Sequence, residues 1–219
     1  MKFKVENLTK TFKDNKVVDN VNVEFDSGKI YGIVGRNGSG KSVFLKLLCS
    51  FYIPTSGSIL QNDYDYISNN SFPINTRALI EKPNFIPDLT GFENLKLLAS
   101  IQGTIGDDEI IDSLKKVNLY DQKDKKYFKY SLGMKQKLGI AQVLMENPDV
   151  LILDEPFNGI EEESVKKIKK ILKEEKKKGK LIIITSHIKD DIVELSDEIF
   201  EFDEGKLKKK WRNKLKHIL

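Results

Sequence analysis

The segment Gly35-Arg36-Asn37-Gly38-Ser39-Gly40-Lys41-Ser42 constrains the fold of this 219-residue chain more than any other. It has the pattern G-x-x-x-x-G-K-[ST]. An apolar run, Ile30-Tyr31-Gly32-Ile33-Val34, precedes it, and a run with helical apolar spacing, Val43-Phe44-Leu45-Lys46-Leu47-Leu48, follows it. Strand, glycine-rich loop and helix in that order make a phosphate cradle. Glycines let the backbone close around a polyphosphate with its N–H groups pointing inward. The helix N-terminus adds unpaired donors and partial positive charge. The pattern puts the Lys41 ammonium on the β- and γ-phosphates and the Ser42 hydroxyl on Mg²⁺.

Two more apolar runs end in residues that suit the same chemistry. Val150-Leu151-Ile152-Leu153 leads into Asp154-Glu155-Pro156. This is the pattern of a buried parallel strand with carboxylates at its C-terminal edge, where open α/β sheets bind ligands. Asp154 is placed to hold Mg²⁺, directly or through water, and Glu155 to polarise an attacking water as general base. Lys180-Leu181-Ile182-Ile183-Ile184-Thr185-Ser186-His187 reads as a second such strand, ending in Ser-His. An imidazole there could reach a γ-phosphate and the attacking water. A fourth segment, Tyr130-Ser131-Leu132-Gly133-Met134-Lys135-Gln136, reads locally as an ordinary helix N-terminus capped by Ser131.

The order of these segments resembles an ATP-binding subunit of an ABC transporter, over nearly the whole chain. Within that superfamily the chain is similar to the bacitracin-resistance and lantibiotic-immunity exporter type. The similarity rests on Tyr130 to Ala141, Leu153 to Gly159, Leu79-Ile80-Glu81-Lys82-Pro83 and Leu89-Thr90-Gly91-Phe92-Glu93-Asn94-Leu95. The resemblance implies the ABC ATPase fold: an α/β P-loop NTPase core (RecA-like), an N-terminal antiparallel β subdomain and an inserted α-helical subdomain. It implies one domain over 1–219, with its core over 1–78 and 146–205, the helical subdomain over 79–145 and a basic tail over 206–219. By position, Gly35 to Ser42 form the Walker A loop that binds ATP. Asp154 is the Walker B magnesium residue, Glu155 the catalytic glutamate and His187 the switch histidine. Ser131 and Gly133 take the signature-motif positions that touch the γ-phosphate bound by an opposite subunit. Phe12 falls where the family carries an aromatic that stacks on adenine; the residues alone also allow a plug in the N-terminal sheet.

Three departures bear on these expectations. Glu81 stands where most of the superfamily has a glutamine near Mg²⁺, adding an anion beside phosphates; by itself it could be a solvated loop acid. Leu132 replaces a usual glycine in the signature. Glu161 replaces a usual aspartate after Walker B, which puts communication across a dimer in question.

Composition bounds the rest. A chain of this length can bury a sizeable core. Its single cysteine, Cys49, excludes an internal disulfide, reads as a small core residue and suits a reduced cytosolic setting. No apolar run has transmembrane length, and Met1-Lys2-Phe3-Lys4-Val5-Glu6 alternates as a strand, unlike a signal peptide. Glu161 to Lys178 reads as one helix with Val165, Ile168, Ile171 and Leu172 on one face, and Asn69-Asn70-Ser71 as a loop. The seven basic residues of 206–219, with no acid among them, leave residues 1–205 at −3 in a chain of net charge +4. As a helix the tail would align Leu207, Trp211, Leu215 and Ile218. It would then close on its own domain, or contact anionic lipid or a membrane subunit. No motif supports nucleic-acid binding.

The resemblance implies a Mg-dependent ATPase at the inner face of the cell membrane that pairs with a second copy or a homologous subunit. A separate transmembrane permease would supply the path, and the exporters it resembles carry antimicrobial peptides or antibiotics. Two other classes compete. A soluble ABC-type ATPase acting on ribosomes or DNA usually carries two such domains or a long coiled coil, and neither is present. A low-turnover regulatory ATP-binding partner is suggested by Glu81, Leu132 and Glu161.

Overall fold

The computed structural model describes residues 1–212. The strands are β1 (Lys2–Phe12), β2 (Asn15–Asp26), β3 (Ile30–Val34), β4 (Ser56–Gln61), β5 (Tyr64–Asp65), β6 (Thr76–Leu79), β7 (Val150–Asp154), β8 (Leu181–Thr185), β9 (Glu198–Asp203) and β10 (Lys206–Arg212). The helices are α1 (Lys41–Leu48), α2 (Gly91–Gln102), α3 (Asp107–Lys116), α4 (Leu132–Met145), α5 (Glu162–Lys177) and α6 (Lys189–Leu195). One sheet has the order β10-β9-β3-β8-β7-β6; its strands from β9 to β6 are parallel and β10 is antiparallel to β9. The other is antiparallel, in the order β2-β1-β4-β5.

The central strands are buried at every position because both faces of their sheet are covered. Side chains alternate between faces with period 2. Ile30, Val34, Leu151, Leu153, Ile182 and Ile184 therefore pack on one face, with Leu95, Leu114, Leu138, Ile168 and Ile192 of the helices α2 to α6. Tyr31, Ile33, Val150, Ile152, Leu181 and Ile183 pack on the other, with Phe44 and Leu47 of α1 and Phe3, Val5 and Ile59 of the antiparallel sheet. This double burial is why the strands read as unbroken apolar runs.

The expected Glu161–Lys178 helix is α5, flanked by those two residues, with Ile168, Ile171 and Leu172 buried. The helical reading of the tail is corrected over its described part, which is the strand β10. Glu204 and Gly205 take φ of +45 and +76. Two left-handed residues make the tight turn that joins antiparallel strands, so Lys206 pairs with Asp203 and Leu207 with Phe202. A lysine-rich sequence suits an edge strand because it resists further strand pairing. Leu215 and Ile218 lie outside the described residues. Among the described residues, no helix is long and apolar enough to cross a membrane.

Candidate functional site

The strand order gathers the chemistry-bearing segments at one sheet edge. Strand β8 lies between β3 and β7, so the loop after β3 and the acids ending β7 flank Thr185. In the loop, Gly38 and Gly40 take φ of +79 and +110. A Cβ on Gly40 would stand 2.4 Å from the Val17 carbonyl oxygen, and one on Gly35 2.3 Å from that of Phe202. The loop is pressed against strands behind it, and glycine is what fits. Arg36 and Asn37 are exposed, while the Ser39 hydroxyl is buried without a hydrogen-bond partner. Lys41 is buried, and its Nζ donates to the carbonyls of Gly35 (2.7 Å) and Arg36 (3.0 Å). Burial holds its pKa below the ordinary lysine value, against the pull of Glu155 and Asp154. Neutral carbonyls are weaker partners for an ammonium than phosphate oxygens, so the side chain is poised to exchange them.

A cleft of about 190 Å³ is lined by Asn37, Gly38, Gly40, Lys41, Ser42, Asp154 and Glu155. Ser42, Glu81, Asp154, Glu155 and Gln136 line an adjoining cleft. The buried Asp154 carboxylate accepts from Thr185 Oγ1 at 2.5 Å. Glu155 takes φ of +48. Its N–H donates to Thr185 Oγ1 at 3.0 Å, and its carbonyl accepts from Gln136 Nε2 at 3.2 Å. Its Oε2 accepts the His187 N–H at 3.2 Å and lies 2.7 Å from the ring Nδ1. The donor set of Ser42, Asp154 and Glu81 is oxygen only, which suits Mg²⁺. Among the described residues no group of three or more His, Cys, Asp or Glu is placed to hold a metal. One hydroxyl and one or two carboxylates fit an ion that keeps its waters and shares the phosphates of a nucleotide.

The sequence model of the ABC transporter family matches residues 18–158 of this chain. The chain belongs to the ABC transporter family. It is 44% identical over 203 residues to an uncharacterised ABC transporter ATP-binding protein of Bacillus subtilis, YybJ, covering 93% of both chains. It is 38% identical to the bacitracin transport ATP-binding protein BcrA of Enterococcus faecalis, over 92% of this chain and 66% of that one. It is 34% identical to the lantibiotic transport ATP-binding protein SrtF of Streptococcus pyogenes, over 93% of this chain and 88% of that one. Among solved structures, an ATP-binding subunit of an ABC transporter superposes with a TM-score of 0.87 at 25% identity, covering 97% of this chain and 90% of the other. A dimeric ATP-binding cassette, MJ0796, in a post-hydrolysis state with ADP and Pi also superposes at 0.87. It is 23% identical, covers 97% of this chain and 99% of its own, and supports the ABC ATPase fold.

Phe12, Ser131 and Gly133 lie away from the glycine loop and from both clefts. Phe12 is 40% exposed, lies edge-on to Tyr52 with centroids 5.5 Å apart and has the Lys10 ammonium 5.0 Å from its ring centre; it is not a plug in the sheet. Ser131 is exposed and caps α4, accepting from the Met134 N–H at 3.2 Å. Gly133 is packed so closely on the loop after β7 that a Cβ would stand 2.6 Å from the Gly159 carbonyl oxygen. The two acidic departures both have partners. Glu81, at φ +64, pairs with Lys46 of α1. Glu161 reaches Lys137 of α4 at 3.3 Å.

Three residues around the site escape sequence reasoning. Thr185 is an ordinary β-former until the order β3-β8-β7 sets it beside Asp154. Gln136 resembles any polar position on a helix, and Lys46 resembles a solvated lysine. Only the fold brings the first to Glu155 and the second to Glu81.

Proposed function

We propose that this ABC ATPase energises a separate membrane permease by binding and hydrolysing Mg-ATP between two paired copies, and that the permease exports an antimicrobial peptide or antibiotic. The observation that carries the nucleotide chemistry is the convergence of the glycine loop, Asp154, Glu155 and His187 on one sheet edge. The cargo class rests on the names of BcrA and SrtF. In this reading the backbone N–H groups of Gly35 to Ser42 cradle the phosphates, and Lys41 exchanges its two loop carbonyls for the β- and γ-oxygens. Ser42 and Asp154 hold Mg²⁺, with Glu81 beside it; when bound, the ion neutralises charge on the phosphate oxygens. Glu155 orients the attacking water and takes its proton, and His187 stabilises charge developing on the γ-phosphate. Ser131 and Gly133 meet the γ-phosphate bound by the opposite copy, and Phe12 stacks on the base. Residues 79–145 act as one helical unit on the core, and the chain works at the cytoplasmic face of the membrane.

A surface feature supports a protein partner. Phe51, Phe72 and Ile74 are 57%, 68% and 69% exposed, and they border a cleft that also reaches Arg77, Gln102 and Gln142. Bulky apolar groups gathered at one surface site mark contact surfaces.

The reading is tested by capture of a tagged Glu155→Gln protein from native cells, in mild detergent with Mg-ATP, with bound proteins identified by mass spectrometry. A multi-spanning membrane protein in near-stoichiometric amount is expected. Ribosomal or DNA-associated proteins without a membrane partner would replace the transporter reading with that of a soluble ATPase.

A further inference from the structure

We infer that Thr185 is a positioning residue for hydrolysis: its one hydroxyl fixes both the Asp154 carboxylate and the strained Glu155 backbone. The inference rests on the roles proposed above for Asp154 and Glu155. Thr185 is fully buried at the end of β8 and is the register partner of Asp154 on β7. A carboxylate only accepts and an amide N–H only donates. The hydroxyl proton is therefore committed to Asp154 Oδ1 at 2.5 Å, and an oxygen lone pair to the Glu155 N–H at 3.0 Å. The direction of both bonds is set by chemistry, so the side chain cannot change its χ1 rotamer without breaking both.

Two consequences follow. First, one oxygen of Asp154 is tied down, which fixes the plane in which the other is presented. Hydrogen bonds of this kind to a ligating carboxylate commonly govern metal affinity and activity by about 10- to 100-fold. Second, Glu155 sits at φ +48, a region that costs a non-glycine residue about 1–3 kcal/mol and persists only where the surroundings over-determine it. Thr185 grips the N–H of that residue while Gln136 grips its carbonyl. The two peptide groups flanking the Glu155 Cα are each held, and the side chain is aimed accordingly. With Thr185 fully buried and Asp154 nearly so, loss of the hydroxyl would leave a carboxylate oxygen and an amide without their partner.

Thr185→Val keeps the shape and removes the hydroxyl; Thr185→Ser keeps the hydroxyl. Turnover, KM for ATP and the Mg²⁺ concentration for half-maximal ATP binding are measured for both, beside Glu155→Gln. For Thr185→Val, turnover falls at least about tenfold with KM within about twofold, and the half-saturating Mg²⁺ rises about tenfold; Thr185→Ser recovers most of both losses. Thermal unfolding reports whether the valine variant is folded. If it is not, Thr185→Cys, close in size to serine but a weak donor, takes its place. Native turnover and Mg²⁺ dependence in the variant lacking the hydroxyl, with Glu155→Gln inactive, overturn the role of Thr185 alone. Equal losses in the valine and serine variants assign Thr185 to packing and also overturn it. An active Glu155→Gln overturns the underlying reading of the site instead.

Discussion

The Glu155 carboxylate is held twice by His187, through the backbone N–H at 3.2 Å and the ring Nδ1 at 2.7 Å. The ring is half exposed, and the pair is therefore a light contact that a nucleotide can break. His187→Ala removes the ring and keeps the backbone bond. Turnover is expected to fall by about 10²-fold or more, as for loss of a positioned acid–base or charge-stabilising group. ATP affinity changes little. Single-turnover hydrolysis beside equilibrium ATP binding checks this; native turnover would remove the ring from the chemistry.

Glu81 introduces a carboxylate into the cleft shared with Ser42 and Asp154, and Lys46 answers it from α1. The bond to Glu81 holds the Lys46 pKa above the ordinary lysine value. With the acid largely exposed, the pair is worth at most about 1 kcal/mol of stability. Its effect belongs to the charge facing the phosphates. Lys46→Met is expected to weaken Mg²⁺-free ATP binding several-fold at low salt, and Lys46→Met/Glu81→Gln to restore it. Strictly additive effects in that double-mutant cycle would show that the two side chains do not act together.

The core strands and the glycine loop were legible because their signals are local: apolar runs of strand length, and a motif whose glycines are dictated by contacts that the chain always makes. The neighbourhood of Glu155 was not. Its grip by Thr185 and Gln136 joins residues 30 and 19 positions away, and such pairings follow from strand order and helix docking. The tail failed for a different reason. Lys206 to Arg212 carries lysines interleaved with apolar residues at spacings that a helix or an edge strand can both satisfy. The Glu204-Gly205 turn decides between them, and two left-handed residues beside β9 weigh more than periodicity in a seven-residue stretch.

Two glycines of one loop separate strain from collision. At Gly38 a Cβ meets nothing within 4 Å, so Gly38→Ala incurs only the left-handed φ, about 1–2 kcal/mol. At Gly40 the Cβ would also strike the Val17 carbonyl at 2.4 Å and the Phe202 ring at 2.7 Å. Gly40→Ala must shift backbone and is expected to cost roughly 3 kcal/mol or more. Urea unfolding of both variants ranks them. Equal losses would mean that the loop moves freely off the strands behind it.

Cys49 gives the protein an alkaline limit. Burial pushes its thiol up to about 12 from the ordinary 9.0. The unfolded thiol thus loses its proton first, and stability falls as pH rises between those values, by up to about 1.4 kcal/mol per pH unit. Below pH 9 that contribution is whole. Burial raises Tyr66 and Tyr130 in the same sense. Cys49→Ala should lower stability at pH 8 through lost packing yet flatten the fall from pH 9 to 12. The native thiol should also resist alkylation at pH 8. A slope unchanged by the substitution would assign the alkaline limit to the tyrosines and the ion-paired lysines, such as Lys29 and Lys169, whose pKa values are also raised.

The last prediction concerns pairing. Ser131 is exposed, and its hydroxyl accepts one N–H from its own helix, which leaves its proton available to a further acceptor. The helix N-terminus adds partial positive charge at the same spot. In the proposed pairing, that acceptor is the γ-phosphate bound in the Walker A loop of a second copy. In a Glu155→Gln background, where ATP persists, Mg-ATP should therefore drive the chain to a dimer. Adding Ser131→Ala should weaken that dimer by about tenfold or more, while the lost cap costs only about 1 kcal/mol of fold stability. Sedimentation velocity with ATP and with ADP separates the two effects. A dimer that forms equally with ADP, or that ignores Ser131→Ala, would mean the copies meet through a surface other than the nucleotide.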